Sequence, residues 1–198
     1  MNLLGIDTST DICCVSLYKD GNLISNQNQK VNFGHTKFLA KFTDDIFKKN
    51  KFTVKNLDYI ILSIGPGSYS GLRAGSSFSK GLSYAIDKPI IPINTIDLMN
   101  SLINNQDSYY IALYSHKDYV YYQEFYDGKA VGNQYCDKIS KLKKYRFYGY
   151  GLETFPDINS SEVKPSSSNL INYFLKNENL IKTRNIASIS PIYLEKNN

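Results

Sequence analysis

Cysteine and histidine are scarce in this chain. Its 198 residues hold three cysteines and two histidines. Cys13 and Cys14 are adjacent and Cys136 stands alone, so no pair has the C-x-x-C spacing of a zinc or redox site. An odd count does not close a disulfide framework, and it argues for reduced thiols and a cytoplasmic address. With only His35 and His116 there is no histidine-rich metal site, and no Ser/His/Asp set is visible along the chain. No apolar run nears the length that spans a bilayer. The first residues lack a basic region followed by a long apolar stretch, so neither a membrane segment nor a leader is expected. What is present fits a folded, soluble chain, 42% hydrophobic and 21% charged. The net charge of +5 permits an acidic partner such as RNA without demanding one.

The most informative stretch is Ile60-Ile-Leu-Ser-Ile-Gly-Pro-Gly-Ser-Tyr-Ser-Gly-Leu-Arg73. It reads as strand, glycine turn, helix. Glycine allows positive φ and close backbone approach, and Pro66 keeps Gly65 out of the helical region. Ser68 and Ser70 can cap the helix that follows. A helix start with bare N–H groups also suits an anion. Gly65, Gly67 and Gly71 carry one residue too many for a dinucleotide fingerprint, and Leu72-Arg73 replaces the Lys-Ser/Thr of a P-loop. Neither Ser68 nor Ser70 is centred as a nucleophile elbow requires. A tight turn with a capped helix accounts for the same residues.

Around this stretch the first half reads β-β-β-α-β-α-β-α. Leu3–Asp7, Ile12–Tyr18 and Leu23–Gln27 form a meander through the turn signal Asp20-Gly21-Asn22. Asp7-Thr8-Ser9-Thr10 in its first turn suits a phosphate or magnesium contact; standing alone, such a cluster favours an Asp/Ser turn that bonds its own backbone. His35–Asn50 is an amphipathic helix with Phe38, Leu39, Phe42 and Ile46 on one stripe. Leu72–Ile86 is a second helix, rich in small residues that permit close backbone approach. Ile90–Ile93 is a strand and Thr95–Ile103 a third helix, capped by Asn94 or Thr95. The polar run Asn104–Ser108 marks the boundary between domains 1–104 and 105–198. Beyond it come strands Tyr109–Tyr114 and Tyr119–Tyr126, a helix Pro165–Glu178 and a closing extended segment, Ile189–Leu194. Lys138–Tyr150 mixes basic and aromatic residues. That mixture suits nucleic acid, or a solvated helix end followed by a strand.

Leu3-Leu-Gly-Ile-Asp-Thr-Ser-Thr10 and Gly65-Pro-Gly-Ser-Tyr-Ser-Gly-Leu-Arg73 resemble the two signatures of the bacterial TsaB (YeaZ) family. His35-Thr36, Lys80-Gly81-Leu82 and Pro191-Ile-Tyr-Leu194 extend the resemblance. It is strong over residues 1 to about 100 and thin beyond. It implies an α/β fold of two actin-like (ASKHA, ribonuclease H-like) domains, with mixed sheets flanked by helices. It implies a non-catalytic dimerisation subunit in the complex that forms threonylcarbamoyladenosine at position 37 of tRNAs reading ANN codons. The implied partners are a catalytic TsaD-like paralogue, a TsaE-like ATPase, and a second copy when the paralogue is absent. Contact with tRNA would come only through the complex, and ATP or ADP would bind the complex rather than this chain alone. The implied interface is the pair of helices carrying His35, Phe38, Leu39, Phe42 and Ile46 on one and Leu72, Gly75, Ser76 and Ser79 on the other. Asp7, Thr8, Ser9, Gly65, Gly67 and Ser68 are the candidate phosphate contacts. Departures bear on catalysis. Leu39 stands where the paralogue's metal-binding His-x-x-x-His needs its second histidine, and no second Asp-x-Gly phosphate loop follows. Retention of Asp7 and the glycine loop keeps open an active ATP-dependent transferase or a peptidase-like hydrolase.

Overall fold

The computed structural model describes residues 1–31, 34–177 and 186–194. Two five-stranded mixed sheets form its frame. The first holds β1 (Leu3–Asp7), β2 (Ile12–Lys19), β3 (Asn22–Lys30), β4 (Tyr59–Ser63) and β5 (Ile90–Ile93), in the order β3-β2-β1-β4-β5. The meander β1-β2-β3 is antiparallel, while β4 and β5 extend it parallel to β1. The second holds β6 (Ser108–His116), β7 (Tyr119–Tyr126), β8 (Lys129–Lys138), β9 (Arg146–Tyr150) and β10 (Ser160–Glu162). Its order is β10-β9-β6-β7-β8, again an antiparallel meander with two parallel strands added beside its first strand. The second sheet therefore repeats the first in topology, as an actin-like duplication requires.

Side-chain alternation divides each strand between two faces. On the first sheet Leu4, Ile6, Ile60 and Leu62 point to one face and Leu3 and Ile61 to the other. Helices α1 (His35–Lys49) and α2 (Tyr69–Ile86) cover the former. Helices α3 (Thr95–Asn100) and α4 (Ser167–Asn177) occupy the space between the sheets. Leu98 of α3 packs with Leu170, Ile171 and Phe174 of α4 on the first sheet. Ile96 and Met99 of α3 pack instead with Tyr109, Ile111, Leu113 and Phe125 of the second. A cut at residue 104 separates the sheets but not the helices on them, because α4 returns to the first sheet. Gly5 is where it docks: a Cβ there would press on the Ser167 carbonyl, and Ser16 and Ser167 hydroxyls meet at 2.7 Å.

Several boundaries shift from those read in the sequence. β3 runs three residues further, to Lys30, and α2 begins three earlier, at Tyr69. α3 stops at Asn100 rather than Ile103, although Asn94 caps it as expected by accepting from the Ile96 and Asp97 N–H groups. Strands β8 and β10 have no counterpart among the elements expected from the sequence. Both lie at a sheet edge, and β8 is exposed along its first half, so no apolar alternation marks it. The fourth helix begins at Ser167, and Glu178 lies outside the described residues. Ile189 is buried in the α1–α2 core, and the Ile192 N–H donates to the Ile64 carbonyl at 2.8 Å, holding the closing segment beside the glycine loop.

Candidate functional site

The Asp7–Thr10 turn and the glycine loop after β4 come together, because β1 and β4 are parallel neighbours that end at the same edge. They are bound to each other. The Ser68 N–H donates to the Ser9 carbonyl at 2.7 Å. The Ser9 N–H and hydroxyl both donate to Asp7 Oδ1, at 2.8 and 2.7 Å. A Cβ on Gly67 would overlap the Ser9 carbonyl, one on Gly71 the Thr8 carbonyl, and one on Gly75 the Thr8 hydroxyl. These glycines serve a backbone-to-backbone approach. Gly65 and Gly67 also hold positive φ, at 99° and 158°. Asp7 is buried, and burial pushes its carboxyl above the ordinary value even though the Ser9 hydrogen bonds pull the other way. Among the described residues its Oδ2 has no hydrogen-bond partner.

Beside this clasp lies a cleft of about 590 Å³ between the two sheets. Ser9, Thr10 and Asp11 line one wall, His35 and Ser68–Ser70 the floor, and Tyr114, Ser115, Tyr150 and Glu153 the other wall. Ser115 reaches it from an irregularity in the β6–β7 register between Tyr114 and His116. The Tyr150 hydroxyl spans the cleft and donates to Asp11 Oδ1 at 2.7 Å, while Lys30 holds Asp11 Oδ2 at 2.9 Å. Burial works to raise the Asp11 carboxyl, but the bonds from Lys30 and Tyr150 outweigh it and hold it below the ordinary value. The same contact, added to burial, pushes the Tyr150 phenol up. Burial lowers the His35 imidazole against the pull of the Thr10 backbone and the Asp11 charge, which keeps it neutral at pH 7.

The Ser9 and Ser68 N–H groups are engaged, the glycines close on the Asp7–Thr10 turn, and Asp11 and Glu153 are the charged side chains among the cleft residues.

A second depression, about 490 Å³, runs between α1 and α2 on the outer side. Thr36, Tyr69, Arg73, Ala74, Ser77 and Phe78 line it, with Leu39 at its base. The interface stripe read from the sequence faces the other way. Leu39, Phe42, Ile46 and Leu72 are buried, and all but Leu72 belong to the core between α1, α2 and the first sheet. Phe38 is half-buried against the same core, and His35, Gly75, Ser76 and Ser79 are buried too. The correction has a simple cause: the face these helices cover is apolar over β2, β1, β4 and Ile90 of β5, and it takes up their apolar stripes. The exposed face is carried instead by Tyr69, Arg73, Ser77 and Tyr84. Arg73 lies over the Tyr69 ring and donates to its hydroxyl at 2.8 Å, and Tyr193 packs on the same ring at 5.3 Å. The i,i+4 spacing of Tyr69 and Arg73 was the available signal.

The model of the family TsaD, tRNA N6-adenosine threonylcarbamoyltransferase, matches residues 23–153. A protein of Buchnera aphidicola subsp. Baizongia pistaciae, "tRNA threonylcarbamoyladenosine biosynthesis protein TsaB", is 28% identical over 98% of both chains. The chain belongs to the TsaB (YeaZ) branch of the TsaD family. The Haemophilus influenzae TsaB is 32% identical over 99 residues, a match that spans half of this chain but only 42% of that protein. YeaZ from Pseudomonas aeruginosa superposes with a TM-score of 0.77 at 18% identity, covering 98% of this chain and 99% of that one. At that identity the likeness shows the fold, which is the actin-like one. In this TsaB-family chain Leu39 occupies a fully packed core position. The basic run is largely neutralised: Lys138 pairs with Asp118 at 3.1 Å, Lys141 with Asp137 at 3.0 Å and Lys143 with Glu124 at 3.2 Å. No helix of the described residues is long and apolar enough to cross a membrane.

Proposed function

We propose that this chain is a non-catalytic partner subunit in the biosynthesis of threonylcarbamoyladenosine, supporting a TsaD-like paralogue that modifies position 37 of tRNAs reading ANN codons. The observation that carries this reading is the end-to-end match to a protein named for that pathway, over 98% of both chains. The apolar Leu39 at the position of a metal-binding histidine supports the absence of catalysis in this subunit. Partner docking uses the outer faces of α1 and α2, around Thr36, Arg73, Ala74 and Ser77, where small side chains leave a groove for another helix. The same surface joins two copies when the paralogue is absent. A TsaE-like ATPase joins the pair, nucleotide binds the assembled complex, and tRNA is met through it. Co-purification tests the reading: the tagged chain should retain the TsaD-like protein of its own organism. Recovery of the chain alone under the same conditions would contradict it.

A further inference from the structure

We propose that the exposed stripe of α2 selects the docking partner by charge: it takes a helix that carries carboxylates and resists a second copy of this chain. This rests on the reading that α1 and α2 receive the TsaD-like paralogue, and it states what the paralogue presents there. At about 100° per residue, Tyr69, Arg73, Ser77, Lys80 and Tyr84 fall within about 80° of one another around the helix. None of the five is buried, and Tyr84 and Tyr69 are 86% and 59% exposed. Exposed Tyr and Arg beside small side chains make the composition of an interface centre, where a few such residues carry most of the binding energy.

Charge settles the kind of partner. The eighteen residues of α2 include Arg73 and Lys80 and no Asp or Glu. Among the described residues no carboxylate forms an ion pair with Arg73, with Lys80 or with Lys37, which follows Thr36 of the groove. The carboxylates of α1, Asp44 and Asp45, are already held by Lys48 and Lys41 of the same helix. Arg73 is also prearranged. It donates to the Tyr69 hydroxyl and lies over that ring, and Tyr193 packs on the same ring from a segment fixed by the Ile192–Ile64 bond. A guanidinium held in this way loses less freedom when it meets a carboxylate.

A second copy related by a two-fold axis presents the same residues. An axis near Ser77, in the middle of α2, gathers Arg73 and Lys80 of both copies with no α2 carboxylate between them. Like charges brought together across an interface weaken it, and a surface rejects a wrong partner in this way. A partner helix with Asp or Glu at those places turns the same contact into attraction. Two copies therefore join less firmly than the chain and its paralogue.

The test is sedimentation equilibrium of the full chain, alone and mixed with the TsaD-like protein of its own organism, at low and high salt. Salt screens exposed charges, so the mixed complex should weaken and the self-associated pair should strengthen as salt rises. The double variant Arg73→Glu/Lys80→Glu should bind the TsaD-like protein at least about tenfold more weakly. A mixture of that variant with the native chain should associate at least about tenfold more tightly than the native chain does with itself, because unlike charges then meet. Both changes are on the surface. If loss of the Tyr69 contact lowers the melting temperature, Lys80→Glu alone replaces the double variant, with the same signs expected. Failure of the native chain to bind the TsaD-like protein would overturn the docking reading and this proposal with it. Binding that the variant leaves unchanged, or a mixture no tighter than the native pair, would overturn the proposal alone.

Discussion

Phe42 shows how much a single residue can mislead. Its spacing with Leu39 and Ile46 marks a stripe, and the stripe exists, but spacing does not reveal which body the stripe packs against. Here it is the chain's own first sheet. Phe42→Ala should therefore cost about 3 kcal/mol or more of stability, as large-to-small changes do in a packed core. Urea unfolding measures it, and a loss under 1 kcal/mol would return Phe42 to the surface. Asp7 gives a pH prediction of unusual sign. Its folded-state carboxyl lies above the ordinary value of about 3.9, so the folded chain holds that proton more tightly than the unfolded one. The contribution of Asp7 is fully favourable below the ordinary value and is lost as pH rises through the raised one. Unfolding free energy should thus fall over that window in the native chain, relative to Asp7→Asn. An identical pH dependence in the two proteins would contradict the burial argument. Asp7, Thr8 and Gly67 were legible as a cluster, since the sequence places them in two turns at strand ends. Their mutual closure was not, because only the parallel pairing of β1 with β4 brings the turns into contact.

At the scale of elements, α1 and α2 each have two faces and the sequence distinguishes them only in part. The small residues of α2 allow another backbone to come close. Gly71 and Gly75 do so, but toward Thr8 within the chain, whereas a Cβ on Gly81 would meet nothing. Ser77 and Arg73 lie on the exposed side. Ser77→Glu should leave the melting temperature within a degree or two, as surface changes generally do, and should lower recovery of the TsaD-like partner by at least about tenfold. Unchanged recovery would place docking elsewhere. The basic-aromatic run was legible as charge but only in part as pairing: Asp137 adjoins it, four residues before Lys141, whereas Asp118 reaches it from the turn after β6 and Glu124 from β7. Alanine at Lys143, Lys144 and Arg146 together should change the salt slope of tRNA binding by less than about one unit. A drop of about three units would mean direct phosphate contacts.

In the whole molecule, the duplicated topology follows from two meanders, each extended by two parallel strands, and the first was readable nearly to the residue. The second was read only in outline, since its outer strands β8 and β10 carry polar, exposed side chains. The helix layer between the sheets was not readable, because α3 and α4 are separated by the entire second sheet in sequence and share a core only after folding. The actin-like frame here has its strand-end glycines turned inward on the Asp7–Thr10 turn and the outer face of α2 exposed at Tyr69, Arg73, Ser77 and Tyr84. Reconstitution tests this account most directly. The measurement is the yield of threonylcarbamoyladenosine in an ANN-reading tRNA, with the TsaD-like protein and its ATPase present, with and without this chain. The account predicts full yield with the chain, little without it, none from the chain alone, and little with Ser77→Glu. Modification by the chain alone, or an undiminished yield when it is left out, would contradict it.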